Sequence, residues 1–191
     1  MSEPLLDDRE VALRVARALE AAGIEYALGG SVASGIQGEP RATNDVDFAV
    51  RLAEHQVAPL AKALGPEFVV DQEGLREAAR HRRSDNIFFL PSAFKIDLFV
   101  RGGEPFDDSE LSRRRLLPIR GEERAWVATP EDNILRKLAW FRKGGEVSDR
   151  QWRDVLGILR LPGQTIDWGY LRRWSPRLGV EDLLQRAERQ A

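Results

Sequence analysis

The sequence predicts an α+β fold in which a mixed β-sheet is followed by a C-terminal helical bundle. Short runs that alternate apolar and polar residues, as half-buried strands do, fall within residues 24–128. From Thr129 onward the apolar residues recur at helical spacing instead. For a chain of 191 residues we therefore expect two domains, residues 1–128 around the sheet and residues 129–191 made of helices.

The N-terminal part is predicted to alternate between helices and short strands. Asp7 or Asp8 can cap a first helix that ends near Ala22, just before Gly23. Residues 74–83 are polar and basic, and they fit either a helix or an exposed loop. The other expected elements are strands over residues 24–28, 45–50, 68–70, 86–90 and 93–100, and helices over residues 32–36 and 53–64.

The C-terminal part is predicted to change from mixed structure to helices. A charged helix over residues 106–117, with the run Arg113–Arg115 on a solvated face, precedes a last strand over residues 123–128. A strong helix start follows at Thr129, with a capping hydroxyl, a proline and early acids. All five tryptophans lie at or beyond Trp126, and we expect them to fill a bundle core. The expected helices cover residues 129–143, 148–159, 168–174 and 181–190.

Composition narrows the class of protein. Apolar residues make up 42% of the chain and charged residues 31%, as in globular domains, and the net charge of -2 gives no strong attraction to nucleic acid. The absence of cysteine excludes disulfides, thiolate metal sites and cysteine nucleophiles, and it fits a reducing cytoplasm. The acidic N-terminus has no apolar signal core, and no apolar run approaches the length of a membrane span. We therefore expect a cytoplasmic protein without membrane association.

Two short polar motifs carry the first candidate chemistry. Gly29–Ser31 (Gly-Gly-Ser) breaks the first strand before a short helix, and glycines at a helix N-terminus let backbone N–H groups approach a phosphate. In the strand over residues 45–50, Asp45 and Asp47 share one face and the apolar residues share the other. The two carboxylates repel each other, and Mg²⁺ suits such a pair of hard oxygen ligands. The alternative is an ordinary strand–turn–helix with surface aspartates.

A third carboxylate lies in the strand over residues 93–100. Lys95 and Asp97 share the polar face of that strand. If the strand runs beside residues 45–50, Asp97 joins the two earlier carboxylates. Three carboxylates on adjacent strands could hold two metal ions, or one metal ion and a general base, while Lys95 offsets part of the charge. In the alternative interpretation, Asp97 is only paired with Lys95 or exposed.

Motifs of several other enzyme classes are absent from the sequence. Neither Gly-x-x-x-x-Gly-Lys-Ser/Thr nor Gly-x-Gly-x-x-Gly occurs, so a P-loop NTPase or a dinucleotide-binding fold has no support. The two histidines, His55 and His81, are too few for a histidine zinc site, and they argue against Ser–His–Asp chemistry. The basic stretch Arg80–Arg83 has no role that the sequence assigns.

The polar motifs together resemble the polymerase-beta-type nucleotidyltransferase superfamily. The matching pattern is Gly-Gly-Ser, then Arg41-x-Thr43-x-Asp45-x-Asp47, then Lys95-x-Asp97. More narrowly, the chain is similar to the AbiEii-type bacterial nucleotidyltransferases, many of which belong to toxin–antitoxin or phage-defence systems. Two further segments, PEDNILRKL and DRQWRDVLGIL, resemble the Lys-bearing and Arg-Asp-bearing helices of that group. The resemblance covers about residues 27–159.

This resemblance implies a reaction. A hydroxyl would attack the α-phosphate of an NTP in line, and pyrophosphate would leave from a cleft that the helical domain closes. Asp45 and Asp47 would bind Mg²⁺, and Asp97 would be a third metal ligand or the base that activates the hydroxyl. The implied nucleotide-binding residues are Gly30, Ser31, Arg41, Lys95, Lys137 and Asp154. Of these, Gly30 and Ser31 would contact phosphates, and the two residues from the helical motifs would close the pocket.

The acceptor and the activity itself stay open at this point. An RNA end, a protein hydroxyl and a small molecule all fit as acceptor, and a cognate regulator protein would fit a toxin–antitoxin system. The main alternative is a catalytically silent nucleotide-binding or partner-binding module with the same fold. A third hypothesis is an antitoxin-like enzyme that modifies a partner protein. The chain is long for that group and lacks its Gly-Ser-x-Ala-x-Gly motif.

Overall fold

The described residues form two compact units. The structure is a computed structural model of the chain, and it describes residues 7–37, 43 and 45–191. As far as they are described, Met1–Val32 and Ala42–Ala128 form the first, which we call the sheet unit. Ala33–Arg41 and Thr129–Ala191 form the second, the helical unit. The grouping of a short N-terminal segment with the C-terminal helices is not indicated by the sequence.

The sheet unit is built on a mixed sheet that has seven strands in the described part of the chain. They are β1 Glu25–Leu28, β2 Asp45–Arg51, β3 Phe68–Val69, β4 Ser84–Phe89, β5 Phe94–Val100, β6 Arg115–Arg120 and β7 Glu123–Val127. Their order across the sheet is β3-β4-β5-β2-β1-β7-β6. The β2–β5 and β1–β7 pairs are parallel, and the other neighbours are antiparallel. The center of the sheet is therefore the parallel pair β2–β5.

Helices lie on both faces of this sheet. The helices that begin within the sheet unit are α1 Asp8–Ala21, α2 Gly30–Gln37, α3 Val57–Leu64, α4 Gln72–His81 and α5 Pro105–Arg113. On the apolar face Phe48 and Leu98 are fully buried, and the Phe48 ring meets the Tyr26 ring edge-on at 5.6 Å. Helix α1 packs against β1, β2 and β7, while α3 packs between α1 and α4. The core of the unit lies between these helices and the sheet.

The opposite face of the sheet carries the polar side chains of β2 and β5. Near the carboxyl end of β2, Leu111 of α5 packs against the small side chains of Ala27, Ala49 and Ala128. The same face at the amino end of β2 carries Asp45 and its neighbours. The alternation of β2 and β5 thus divides the sheet into an apolar side and a side available for chemistry.

The predicted α+β fold class is confirmed, with one misassigned element. The helix expected over residues 106–117 ends at Arg113, and residues 115–120 form β6, an edge strand paired with β7. Sequence analysis missed β6 because Pro118 lies inside it, and proline is normally evidence against a strand. At an edge, a residue without an N–H group is tolerated because one side of the strand needs no partner. Residues 74–83, which fitted either a helix or a loop, lie mostly in α4.

The arginine run after α5 is not the uniformly solvated face that the sequence predicts. Arg115 is exposed, but Arg114 lies half-buried, with its guanidinium 2.6 Å from the Glu25 carboxylate. The same guanidinium stacks over the Trp126 ring, at 4.9 Å from its center. Arg114 therefore fastens the loop before β6 to the sheet.

The helical unit contains four helices in addition to most of α2, within the described residues. They are α6 Pro130–Lys143, α7 Asp149–Arg160, α8 Trp168–Trp174 and α9 Glu181–Gln190. Helix α6 packs against α7 and α8, and α7 packs against α9. Thr129 caps α6, as predicted, and Asn133 reaches the α2 residues Ser34 and Gln37 through side-chain hydrogen bonds of 3.2 and 3.4 Å. Polar contacts therefore hold α2 to the start of α6.

The tryptophans do not form the bundle core that the sequence predicts. Only Trp174 is buried, and Trp140 is 41% exposed. Several rings instead stack under cationic side chains: Arg186 lies over Trp152 at 4.3 Å, and Lys143 over Trp140 at 4.8 Å. Aliphatic side chains of α6 and α7 fill the core instead. None of the helices in the described ranges is both long enough and apolar enough to cross a bilayer.

A buried carboxylate provides a test of the helical unit. Asp132 is fully buried, and both of its oxygens accept hydrogen bonds of 2.5 Å, one from Thr129 and one from Tyr170. Tyr170→Phe removes one donor from this carboxylate, and we expect a loss of about 1.5–3 kcal/mol in the free energy of unfolding, measured by urea denaturation. In an Asp132→Asn background the same change should cost less, because no buried charge remains. Equal costs in the two backgrounds would contradict this account.

Candidate active site

The glycine turn lies directly against the carboxylate of Asp47. The Gly29 N–H donates to the Asp47 carbonyl oxygen at 2.9 Å, which continues the β1–β2 pairing beyond Leu28. Gly30 begins α2 with φ +59°, and a Cβ atom there would lie 1.7 Å from Oδ2 of Asp47. Only glycine allows both this backbone conformation and this close approach. The N-terminus of α2 therefore lies beside the Asp47 carboxylate of β2.

The three predicted carboxylates lie on one face of two adjacent strands. In the parallel register of β2 and β5, Asp47 is directly opposite Asp97, and Asp45 is directly opposite Lys95. Directly paired residues project to the same side of a sheet. Asp45 is exposed, and Asp47 and Asp97 are half-buried. The strand pairing thus brings these side chains together at the amino ends of both strands.

Lys95 is the cation of this cluster. Its Nζ lies 2.8 Å from Oδ2 of Asp97, and the hydrogen bond to that carboxylate raises the pKa of Lys95. Burial opposes this rise, and the charges of Asp97, Asp45 and Asp47 add to it. All three carboxylates are therefore close enough to influence one ammonium group. The site holds its own counter-charge.

The carboxylates of this face are suitable ligands for Mg²⁺ by their chemistry, but three of them do not converge on one point. Among the described residues, no group of three or more His, Asp or Glu side chains is arranged to hold a metal ion. The directly paired carboxylates of Asp47 and Asp97 nevertheless supply hard oxygen donors, and Mg²⁺ commonly takes one or two carboxylates and completes its shell with water and substrate phosphates. An ion at this position would compete with Lys95 for Asp97.

Sequence analysis missed two residues of the same face. Asn86 lies opposite Asp97, and Phe88 lies opposite Lys95, in the antiparallel β4–β5 pair. Phe88 is 43% exposed, and its partner Val69 in β3 is also exposed. The signal was present in the sequence, because a short connection at Pro91-Ser92 implies a hairpin. Its register would have placed Asn86 across from Asp97.

The remaining predicted nucleotide-binding residues are placed differently. Ser31 lies in the first turn of α2, half-buried, and Arg41 lies outside the described residues. Lys137 and Asp154 belong to the helical unit, where their side chains are paired at 2.7 Å and are only 4% and 7% exposed. Lys137 also donates to Gln151 at 3.4 Å. In the structure these two residues form a buried ion pair between α6 and α7.

Comparison with known proteins supports the fold. No protein-family model and no curated protein sequence matches the chain. Among solved structures, the chain is similar to an antigenic nucleotidyltransferase-like protein from Paracoccidioides brasiliensis, with a TM-score of 0.52 and 16% sequence identity. The similarity covers 92% of this chain and 95% of the other. This chain has a nucleotidyltransferase-like fold. At this level of identity the comparison concerns the fold alone, and AbiEii-type membership does not follow from it.

The contact between Gly30 and Asp47 can be tested by a matched pair of substitutions. Gly30 and Gly23 both have positive φ, +59° and +65°, so alanine introduces similar backbone strain of about 1–2 kcal/mol at each. Nothing lies within 4 Å of a Cβ atom at Gly23. We expect Gly30→Ala to lower the free energy of unfolding by about 1–3 kcal/mol more than Gly23→Ala, because it also displaces the Asp47 carboxylate. Equal losses in urea denaturation would show that the turn does not depend on Asp47.

The buried pair in the helical unit allows a second test. Lys137→Met leaves the Asp154 carboxylate buried without its cation, which should cost about 3–5 kcal/mol of unfolding free energy. Combining it with Asp154→Leu should recover most of that loss. The exposed pair Arg142–Asp182 is the control, and Asp182→Asn should change the free energy of unfolding much less than Lys137→Met does, because solvent screens an exposed ion pair. A double variant as unstable as Lys137→Met alone would contradict the expectation.

Proposed function

We propose that the protein is a Mg²⁺-dependent nucleotidyltransferase that moves an NMP from an NTP to an acceptor hydroxyl. One observation carries this proposal: Asp47 and Asp97 are directly paired on adjacent parallel strands, and Asp47 abuts a glycine turn at a helix N-terminus. Carboxylates suit metal ions, and the turn suits phosphates. The nucleotidyltransferase-like fold supports the same assignment.

The phosphate side of the proposed site is the turn itself. The N–H groups in the first turn of α2, from Gly30 and Ser31 onward, carry the partial positive charge of the helix and would receive the triphosphate. Lys95 adds a full positive charge on the same face, and Arg41 is a further candidate from the sequence. Binding of a nucleotide would thus place strong negative charge where donors and cations already converge.

The chemical step needs no covalent intermediate with the protein. The acceptor oxygen forms a bond to the α-phosphorus, while the bond from that phosphorus to the pyrophosphate oxygen breaks. Asp45 and Asp47 would bind the metal, as the family resemblance implies, and Asp97 would be a third ligand or would take the proton of the attacking hydroxyl. Bound Mg²⁺ would screen the phosphate charges and align the reacting oxygens. Lys95 would then exchange its contact with Asp97 for a phosphate oxygen.

The side from which the acceptor approaches follows from in-line geometry. The glycine turn lies on the β1 side of Asp47, so the leaving pyrophosphate belongs there. With the pyrophosphate held at the turn, in-line attack would bring the hydroxyl from the opposite side, toward β4. Asn86 and the exposed ring of Phe88 lie on that side. An RNA end, a protein hydroxyl and a small molecule remain the candidate acceptors.

The finer biological role is part of the proposal. The segments that form most of α6 and α7 resemble helices of AbiEii-type enzymes, so we place the protein in the cytoplasm, in a toxin–antitoxin or defence system with a cognate regulator protein. A regulator that co-purifies with the tagged chain from its native host would support this role. Purification of the chain alone, at native expression level, would count against it.

Substitution of the paired carboxylates tests the activity. Transfer of label from α-labelled NTPs to total RNA, total protein or small molecules should require Mg²⁺. Asp47→Asn or Asp97→Asn should each lower it by more than about 100-fold, because each removes several kcal/mol of transition-state stabilisation. Asp108→Asn, which changes an exposed carboxylate paired with Arg51, should leave transfer within about twofold of the native rate.

The same experiment separates the proposal from its main alternative. A native chain that binds Mg-NTP in calorimetry, yet labels no acceptor, would favour a catalytically silent nucleotide-binding module. Transfer that is equal in the native chain and in Asp47→Asn would exclude Asp47 from catalysis and end the proposal.

A further inference from the structure

A concave site lies at the end of the parallel strands opposite the carboxylate cluster. It is an open pocket of about 510 Å³ beyond the carboxyl ends of β2 and β5. The lining residues are Arg51, Leu52, Ala53, Glu54, His55, Ala79, Arg82, Val100, Arg101 and Gly102. All of them belong to the sheet unit. Arg51 lies four residues along β2 from Asp47, a distance of roughly 13 Å in a strand, so the pocket is separate from the carboxylate cluster.

Three arginines from three segments line this pocket. Arg51 ends β2, Arg101 follows β5, and Arg82 follows α4. Bringing like charges together costs free energy, and part of that cost is offset by carboxylates outside the pocket. Arg51 is 2.6 Å from Asp108, and Arg101 is 3.7 Å from Glu110. Ion pairs with carboxylates outside the pocket therefore hold the side chains of Arg51 and Arg101.

Arg82 differs from the other two arginines. Among the described residues it has no ion pair and no side-chain hydrogen bond. Glu54, the carboxylate that lines the pocket, is instead hydrogen-bonded to Arg80 at 2.7 Å. Arg82 thus contributes a charge to the pocket that no described carboxylate balances.

The backbone around Arg82 is shaped to hold its side chain. Arg82 itself adopts a left-handed conformation, with φ 52°, at the end of α4. Gly103 has φ +105°, and a Cβ atom there would lie 1.8 Å from Nη1 of Arg82. The left-handed residue is an ordinary end for α4, and the absence of a Cβ atom at Gly103 leaves room for the Arg82 guanidinium.

We infer that this pocket binds a small phosphorylated molecule that has an apolar part. Guanidinium groups recognise phosphate through charge-assisted, often bidentate, hydrogen bonds. Leu52, Ala53 and Val100 supply an apolar wall beside them. The volume is typical of small-molecule sites, and crevices beyond the carboxyl ends of parallel strands are recurrent binding positions. The inference also gives a role to the Arg80–Arg83 stretch: Arg82 binds the ligand, while Arg80 holds Glu54.

Binding of simple phosphates, without divalent metal, tests this inference independently of nucleotidyl transfer. Calorimetry in EDTA with inorganic phosphate, pyrophosphate and AMP should show saturable binding at millimolar concentration or below. Arg82→Asn should weaken it by about tenfold or more, because charge-assisted hydrogen bonds are lost. Asparagine tolerates the left-handed conformation, so this variant removes the guanidinium without adding strain. Unchanged thermal unfolding should verify that Arg82→Asn folds.

Two controls define the site. Arg83→Asn changes an exposed neighbour that does not line the pocket, and binding should stay within about twofold of native. The double variant Asp47→Asn/Asp97→Asn should not weaken this binding, because the carboxylate cluster lies elsewhere. AMP should bind more tightly than inorganic phosphate if the apolar wall contributes.

Three results would overturn the inference. They are the absence of saturable binding in the native chain, equal losses in Arg82→Asn and Arg83→Asn, and loss of binding in the double aspartate variant. Equal affinities for AMP and inorganic phosphate would show that the apolar wall does not contribute, and would contradict the inference that the ligand has an apolar part.

Discussion

The in-register parallel pairing of β2 with β5 is the constraint on which the rest of the sheet unit depends. Because the two strands run in the same direction, residues at the same position along each strand lie side by side. Asp47 therefore lies beside Asp97 at one end, and the ends that lead to Arg51 and Arg101 meet at the other. A shift of β2 by one residue in its register with β5 would move its polar side chains to the apolar face of the sheet. Fully buried Phe48 and Leu98 oppose such a slip, so core packing fixes the geometry of the polar face.

The two ends of this strand pair carry different charged groups. Three carboxylates and Lys95 lie at the amino ends, and arginines, two of them paired with carboxylates, lie at the carboxyl ends. The net charge of -2 conceals this separation, because it averages over the whole chain. Local fields of a few charges, and not the total, determine which ligands approach each end.

The sequence predicts well on which face of a strand a side chain lies, and poorly which distant residues that side chain contacts. Strand periodicity of two residues was enough to assign Asp45, Asp47 and Asp97 to polar faces, and the structure brings them together because β2 and β5 are neighbours. Strand neighbours that are distant in the chain are set by the whole fold, whereas Asn86 faces Asp97 through the local β4–β5 hairpin. Long-range ion pairs are equally hidden: Lys137 and Asp154 were expected at a nucleotide pocket, and their mutual contact follows only from the packing of α6 on α7.

Pro118, which concealed β6 from sequence analysis, has a further consequence for the molecule in a crowded cell. The unpaired N–H and C=O groups of an exposed edge strand can form hydrogen bonds with a strand of another chain, and such pairing leads to aggregation. At the outer edge of this sheet, Pro118 has no N–H group to offer an incoming strand, and Arg115 and Arg120 add charge on either side. The opposite edge, β3, is only two residues long. The protein therefore leaves its polar face open to ligands while neither border of the sheet readily recruits another copy.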